Sequence, residues 1–175
     1  MFELKSDSKK GFTMVELLVV IALIAILAVL TVVTMSSARR KTRDAERVSH
    51  AQQLRVALGL GYAELAEFPA QEGDHLSLGD GNARVLCEVG GKPNFVQSIS
   101  LCTGANPPYM SAVPSSPKPN DGKCSSGDNA YWYLAGSGGN DYRIQFCLGK
   151  APTQSGLADG PNCVTPEGVV PGACK

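Results

Sequence analysis

The 175-residue sequence has little of what a catalytic or nucleic-acid-binding protein usually needs. It contains only two histidines, His50 and His75, and the serines of "PSS" and "CSSGD" have no partnered base to activate a nucleophile. Phosphate-binding glycine loops, dinucleotide motifs and H-E-x-x-H zinc motifs are absent. Sixteen basic residues balance sixteen acidic ones, whereas nucleic-acid binders are usually basic. These absences favour a structural or binding protein, not an enzyme, with no cofactor.

Cysteine is missing from the first 86 residues and then occurs six times, at Cys87, Cys102, Cys124, Cys147, Cys163 and Cys174. An even number in loop-rich sequence favours disulfides formed in an oxidising compartment. Zinc is the alternative, but it prefers close pairs such as C-x-x-C, which do not occur here. Six cysteines allow 15 pairings. Sequence proximity favours Cys87 with Cys102, Cys124 with Cys147, and Cys163 with Cys174.

Proline and glycine are also absent between Phe12 and Leu58, so nothing interrupts a helix there. Residues 12–35, "FTMVELLVVIALIAILAVLTVVTM", are apolar except for Glu16 and three threonines, and the run is long enough to cross a bilayer. A secretory signal peptide is one alternative, but the apolar run is too long and lacks an A-x-A-like cleavage site at its far end. A plain membrane anchor is another. It leaves Glu16 unexplained, because a carboxylate in hydrocarbon is costly.

The stretch "KKGFTMVELLVVIALIAILA" resembles the N-terminus of type IV pilins and type II secretion pseudopilins. In that family a membrane-embedded prepilin peptidase removes a basic leader after a glycine, the new terminal residue is N-methylated, and a glutamate follows at the fifth mature position. The resemblance therefore implies that residues 1–11 are a leader, that cleavage falls between Gly11 and Phe12, and that Phe12 is methylated. It also implies an assembly role for Glu16, and an assembly platform protein with its ATPases as partners.

Cleavage gives Phe12 a cationic amine about one helical turn from Glu16. In a stack of parallel subunits, Glu16 is expected to pair with the amine of a neighbouring copy, since opposite charges attract strongly at low dielectric. A misaligned subunit leaves both charges unpaired, so the pair sets the register of the polymer. Cohesion is expected from the apolar residues that follow, packed against the same stretch of other copies.

Residues 36–68 are predicted to be the amphipathic half of the same helix, ending before Pro69. The apolar stripe recurs at three- and four-residue steps, at Ala45, Val48, Ala51, Leu54, Leu58, Tyr62 and Leu65. The basic cluster 39–43, "RRKTR", is predicted to lie at the lipid headgroups. Its alternative is pairing with acidic groups of neighbouring subunits, such as Asp44 or Glu46.

Residues 69–175 are predicted to form a small disulfide-rich β domain, because glycine, proline, serine and asparagine separate short apolar runs. The predicted strands are 83–89, 95–101, 130–135 and 141–148. The last two are joined by the hairpin loop "GSGGN", and one face of the sheet covers the helix. A proline-rich loop, 107–122, cannot join a central strand, and the tail after residue 149 is predicted to be irregular. The fold class is therefore α+β: a long N-terminal helix, its first half transmembrane, packed on a small antiparallel head, the lollipop of pilins.

No metal site is assigned. Asp121, Asp128 and Asp141 are weak calcium candidates, since a major pseudopilin binds calcium near its last strands, but turn chemistry explains these residues equally well. The aromatic run "AYWYLA" resembles a stacking platform for single-stranded DNA. Buried sheet packing is its default interpretation, and an acidic head opposes nucleic acid.

The leading hypothesis is a type IV pilin: a single-pass precursor in the cytoplasmic membrane that becomes part of an extracellular filament. The N-terminus is placed inside, because the leader is cut in the cytoplasm and the cysteines need an oxidising exterior; flanking charges do not decide it. A type II secretion pseudopilin is the alternative, and a membrane-anchored binding module that never polymerises is a third. Adhesion, twitching motility and DNA uptake are family activities that depend on surface details.

Overall fold

The computed structural model describes residues 11–71, 73–104, 106–125 and 127–174, apart from the side chain of Val33. The predicted leader lies outside these residues except for Gly11. Two compact units are present, Met1–Arg39 and Arg40–Lys175. The α+β class is confirmed, because one long helix is followed by a small antiparallel sheet.

Helix α1 covers Met14–Leu65, close to the predicted limits. It ends at Ala66, whose positive φ of 57° and hydrogen bond to the Tyr62 carbonyl close the last turn. Pro69 follows shortly afterwards and excludes a further turn. Among the described residues, α1 is the one helix long and apolar enough to cross a membrane, with a mean hydropathy of 3.2 in its most apolar window.

The strands after the helix form two antiparallel sheets. In chain order they are β1 (Leu76–Leu78), β2 (Val85–Val89), β3 (Lys92–Val96), β4 (Tyr131–Ala135), β5 (Tyr142–Leu148), β6 (Gly160–Val164) and β7 (Val169–Pro171), with 3₁₀ turns at Ile99–Leu101 and Ser137–Gly139. The larger sheet has the order β1-β4-β5-β6-β7, and β2 and β3 form a separate hairpin. The predicted β4–β5 hairpin is confirmed, with Ala135 opposite Tyr142.

The predicted strand over 95–101 is wrong beyond Val96. The chain turns there into the 3₁₀ segment, which Ser98 caps by accepting a hydrogen bond from the Ser100 amide at 3.3 Å. Serine hydroxyls offer the backbone an alternative to the sheet ladder, which apolar patterning does not register. The turn brings Cys102 back to Cys87.

The prediction of an irregular tail is also wrong, because β6 and β7 extend the sheet beyond β5. Pro161 and Pro171 lie inside these strands and obscured the strand signal. Strand β7 is the last strand of the sheet, where a residue without an N–H is tolerated.

The core of the second unit lies between one stripe of α1 and one face of the sheet. Its fully buried members include Ala51, Leu54 and Leu58 from the helix and Tyr131, Tyr133, Tyr142, Ile144, Phe146, Leu148 and Val164 from the sheet. The predicted stripe is thus correct at its centre but wrong at its ends. Ala45 and Tyr62 are exposed, and at the start of the amphipathic half the buried positions are Asp44 and Arg47.

Leu54 and Leu60 allow a matched test of this packing, because both are helix leucines but only Leu54 is buried, with 0% exposure against 55% for Leu60. We expect Leu54→Ala to lower the free energy of unfolding by about 2–5 kcal/mol, through lost burial and the cavity left behind. Leu60→Ala should change it by less than about 0.5 kcal/mol. Urea unfolding of the full chain in detergent, followed by Trp132 fluorescence, measures both. Equal effects from the two variants would contradict this helix orientation.

Candidate processing and assembly site

The start of α1 is closed by three reciprocal hydrogen bonds between Thr13 and Glu16. The Thr13 amide and hydroxyl donate to Glu16 Oε2 at 2.9 and 2.7 Å, and the Glu16 amide donates to Thr13 Oγ1 at 3.3 Å. This arrangement is a capping box, in which two otherwise unpaired helix amides are satisfied. In a single copy, the Glu16 carboxylate therefore folds back on its own chain.

Thr13 is a helix-capping residue that the sequence reasoning missed, although the spacing T-x-x-E was its signal. Both hydrogen bonds that the Glu16 carboxylate accepts from Thr13 are made to Oε2. Among the described residues, Oε1 of Glu16 makes no hydrogen bond, so it is available to a further donor.

The predicted cleavage site lies just before this cap. Gly11 and Phe12 precede the helix, and Phe12 is 85% exposed. A side chain placed at Gly11 would meet no atom of the described chain within 4 Å. Among the described residues, nothing therefore packs against this side of Gly11.

A second polar cluster, within residues 43–47, ties α1 to the head. Arg43 binds Asp121 with both ends of its guanidinium, Nε to Oδ2 and Nη2 to Oδ1, each at 2.6 Å. Paired bonds of this kind are the strongest form of arginine–carboxylate contact. Asp44 accepts from the amides of Gly149 and Lys150 at 2.9 and 3.0 Å, at the end of β5.

Arg47 lies at the centre of this cluster and is fully buried. Its Nη1 donates to Asp44 at 2.8 Å and to Asp121 at 3.3 Å. Its Nη2 donates to the Pro117 carbonyl and to Asn129 Oδ1, both at 2.9 Å, and Nε has no partner among the described residues. The proline-rich loop is thus held to the helix by a buried cation.

This geometry bears on the neighbouring-subunit interpretation of the basic cluster "RRKTR". Asp121 of the same chain binds Arg43, so Arg43 needs no acidic partner from a neighbouring subunit. The position of the cluster relative to the lipid headgroups stays a prediction. Asp44 is likewise occupied within the chain. Periodicity could not show this, since the partners come from a loop far along the sequence.

The paired arginines shift the ionisation of the cluster. Hydrogen bonds from Arg43 hold the pKa of Asp121 below its ordinary value. The charge of Arg43 and the contact with Arg47 lower it further, and burial opposes these effects. The same contact raises the pKa of Arg43. Separately, burial lowers the pKa of His50, which contacts the Tyr131 hydroxyl at 3.0 Å.

The three calcium candidates are used in other ways. The arginines hold both carboxylate oxygens of Asp121, Asp128 accepts from Ser125 at 2.6 Å, and Asp141 accepts from the Tyr142 amide at 2.8 Å. No three acidic, histidine or cysteine side chains in the described ranges lie together as metal ligands. The structure therefore does not bring these aspartates to one place.

The six cysteines lie in the three pairs that sequence proximity favours. Cys87–Cys102, Cys124–Cys147 and Cys163–Cys174 have Cα separations of 5.8, 5.7 and 5.1 Å, within the usual range. Cys124–Cys147 closes the loop beside the buried cation. There Gly149 packs tightly against Asp121. A Cβ added at position 149 would lie 2.4 Å from the Cβ of Asp121.

Comparison with known proteins agrees with the start of the chain. The model of the prokaryotic N-terminal methylation motif matches residues 6–32, which include Gly11, Phe12 and Glu16. That motif is the signature of type IV pilins and pseudopilins, a structural rather than an enzymatic class. No curated protein and no solved structure gives a significant match. The chain is thus pilin-like or pseudopilin-like through its N-terminal motif.

Asp121 provides a pH test of the buried cluster. Because its pKa is lower in the folded chain, its stabilising effect is present above its unfolded pKa of about 3.9 and is lost as the pH falls through the folded value. We expect Asp121→Asn to lower the free energy of unfolding by about 3 kcal/mol near pH 7, the scale for breaking a buried ion pair.

The difference between this variant and the wild type should shrink as the pH falls from about 4 towards the lower folded pKa, because the wild-type carboxyl becomes neutral first in the unfolded chain and then in the folded one. Urea unfolding at a series of pH values measures it, with the exposed Asp80→Asn as control. A difference that stays constant down to about pH 2 would contradict the ionic role of Asp121.

Proposed function

We propose that the chain is the subunit of a type IV pilus, a structural filament assembled through the N-terminal helix. The observation that carries this proposal is Glu16, a carboxylate in the first turn of an apolar helix inside a matched methylation motif. A membrane anchor alone gains nothing from such a charge, because ionisable groups in hydrocarbon are costly. A polymer whose subunits must be aligned does gain from it.

Processing prepares the partner of this carboxylate. Prepilin peptidase cuts between Gly11 and Phe12, and the new amine on Phe12 is methylated and stays cationic. Oε1 of Glu16, which the capping box leaves without a hydrogen bond, accepts from the amine of an adjoining subunit. Loss of this pair by misalignment leaves two charges in apolar surroundings, which is strongly unfavourable.

The helix surface supports polymerisation. From Met14 to Met35 the described side chains are exposed all round the helix, as in Leu17, Ile24 and Leu30 at 61%, 60% and 61%. A helix that is apolar on every side needs an apolar environment on every side. Residues 12–35 are accordingly assigned to lipid before assembly and to the filament core afterwards, with 36–68 and 69–175 forming the outer part.

The proposed path starts in the cytoplasmic membrane, with the leader inside and the head outside. An oxidising exterior suits the three disulfides. The assembly platform and its ATPases then extract the processed subunit into the filament. The methylation motif is common to pilins and pseudopilins, so long surface fibres that contain this chain are the observation that separates the pilus from the secretion apparatus.

Variants at Glu16 and Thr13 separate charge pairing from helix capping. We expect Glu16→Ala and Glu16→Gln to abolish filaments, since both remove the charge, while the protein still enters the membrane. Thr13→Ala should retain filaments, because it removes only the capping hydroxyl, which is worth roughly 1 kcal/mol. Electron microscopy of sheared fibres and membrane fractionation measure the two properties. Normal filaments from Glu16→Gln would contradict the proposal that a charge pair at Glu16 aligns the subunits.

Processing has its own test. Mass spectrometry of purified filaments should show a chain that begins at Phe12 and carries one methyl group on its terminal nitrogen. Gly11→Ala, which adds a side chain at the cleaved bond, should accumulate as an unprocessed precursor in the membrane. Assembled filaments with the leader still attached would be incompatible with the proposed assembly step.

A further inference from the structure

A cavity of about 490 Å³ lies on the side of α1 within the second unit, away from the start of the helix. Its lining combines the aromatic side chains of Tyr62, Phe68 and Tyr142 with Arg55, Val56 and Asn140. Tyr62 and Phe68 stack with their ring centroids 4.5 Å apart, and Phe68 contacts Tyr142 edge-on at 4.7 Å. The cavity therefore has a wall of three mutually packed aromatic rings, with polar groups beside it.

The hydroxyl of Tyr142 is an unsatisfied polar group in this wall. The residue is 1% exposed, and its hydroxyl has no hydrogen-bond partner among the described residues. A buried hydroxyl without a partner is unfavourable, and such groups in folded proteins call for an explanation. Tyr133, which stacks near Tyr142 in the same core, shows the usual solution, since its hydroxyl donates to the Pro69 carbonyl at 2.7 Å.

Arg55 supplies a positive charge at the same place. Arg55 and Tyr142 both line the cavity. Burial raises the pKa of Tyr142, the charge of Arg55 opposes this effect, and the charge of Asp141 adds to it. Arg55 itself is exposed, and its Nε donates to the Pro166 carbonyl at 3.2 Å. No carboxylate of the described chain lies within ion-pair distance of it. Two kinds of donor thus line one cavity, and among the described residues neither makes a hydrogen bond or ion pair with a carboxylate.

The acceptor that suits this pair is a carboxylate, because a guanidinium and a phenol can bind its two oxygens together. From Asp44 onward the chain has 13 acidic residues and 9 basic ones, so a second copy presents carboxylates more often than cations. The helix beside the cavity also exposes Val56 and Leu60, at 63% and 55%, and Val56 borders a second cavity of about 390 Å³. Arginine and aromatic residues are enriched in protein–protein contacts.

We propose that this pocket, between Arg55 and Tyr142, receives an acidic side chain from an adjoining copy of the chain. The inference rests on the proposed filament and adds to it a contact between heads that is separate from the Glu16 pair. Arg55 binds the carboxylate as an ion pair, Tyr142 donates its hydroxyl to the same group, and Val56 and Leu60 are covered around them.

Filaments of the full, processed chain test this contact, with Tyr142→Phe and Arg55→Gln as variants. Tyr142→Phe removes only the unpartnered hydroxyl, so the detergent-solubilised subunit should unfold at the wild-type urea concentration or higher. The filaments of both variants should dissociate in detergent roughly tenfold faster than wild type, because each lacks one bond to a charged acceptor.

Two controls match these changes. Tyr133→Phe removes a hydroxyl that is bonded within the chain, so it should destabilise the solubilised subunit itself. Arg84→Gln removes an exposed charge elsewhere on the head and should alter neither measurement.

Wild-type dissociation rates for both pocket variants would overturn the inference while leaving the proposed function intact. A free carboxylate is the other source of the same chemistry, and sodium acetate is its probe. If acetate stabilises the solubilised wild type but not Arg55→Gln, and filament rates do not change, the neighbouring-copy assignment is wrong. Failure of the wild type to form filaments would overturn the proposed function, and this inference with it, before any variant is compared.

Discussion

A carboxylate at the start of an apolar helix limits what the rest of the chain can do. Glu16 is stable in low dielectric only with a cation or several donors close by, and among the described residues of one copy only Thr13 provides donors. The Thr13 hydrogen bonds cap the helix but satisfy only one oxygen of the Glu16 carboxylate. Neutralising its charge needs a cation, which cleavage before Phe12 would create. In the proposed function, processing and assembly therefore both act at the first turn of one helix.

The second unit repeats the same principle in the opposite sense, since a cation is buried and carboxylates neutralise it. Arg47 is enclosed by Asp44, Asp121 and carbonyl groups of the proline-rich loop. This cluster holds a loop that has no strand ladder of its own. The Cys124–Cys147 disulfide closes the same loop a few residues later. A head fixed in this way suits a protein exposed to shear and proteases.

Features that depend on local sequence were predictable from it. The uninterrupted helix follows from the lack of proline and glycine, and the β4–β5 hairpin follows from alternating residues around "GSGGN". Partners distant in sequence were not predictable. Arg47 resembles a surface residue until Asp121 and Asn129 are brought to it, and β6 and β7 carry prolines that hide their pairing. The unpartnered Tyr142 hydroxyl needed the full packing of the core to become visible, since tyrosine in a strand normally finds an acceptor.

The most direct measurement is a high-resolution electron cryomicroscopy map of the filament, read at the Glu16 carboxylate. The account predicts that one of its oxygens lies roughly 3 Å from the methylated terminal nitrogen of Phe12 on an adjoining copy, a distance typical of charge-assisted hydrogen bonds. A carboxylate that bonds only its own Thr13, with every terminal amine far away, would contradict it.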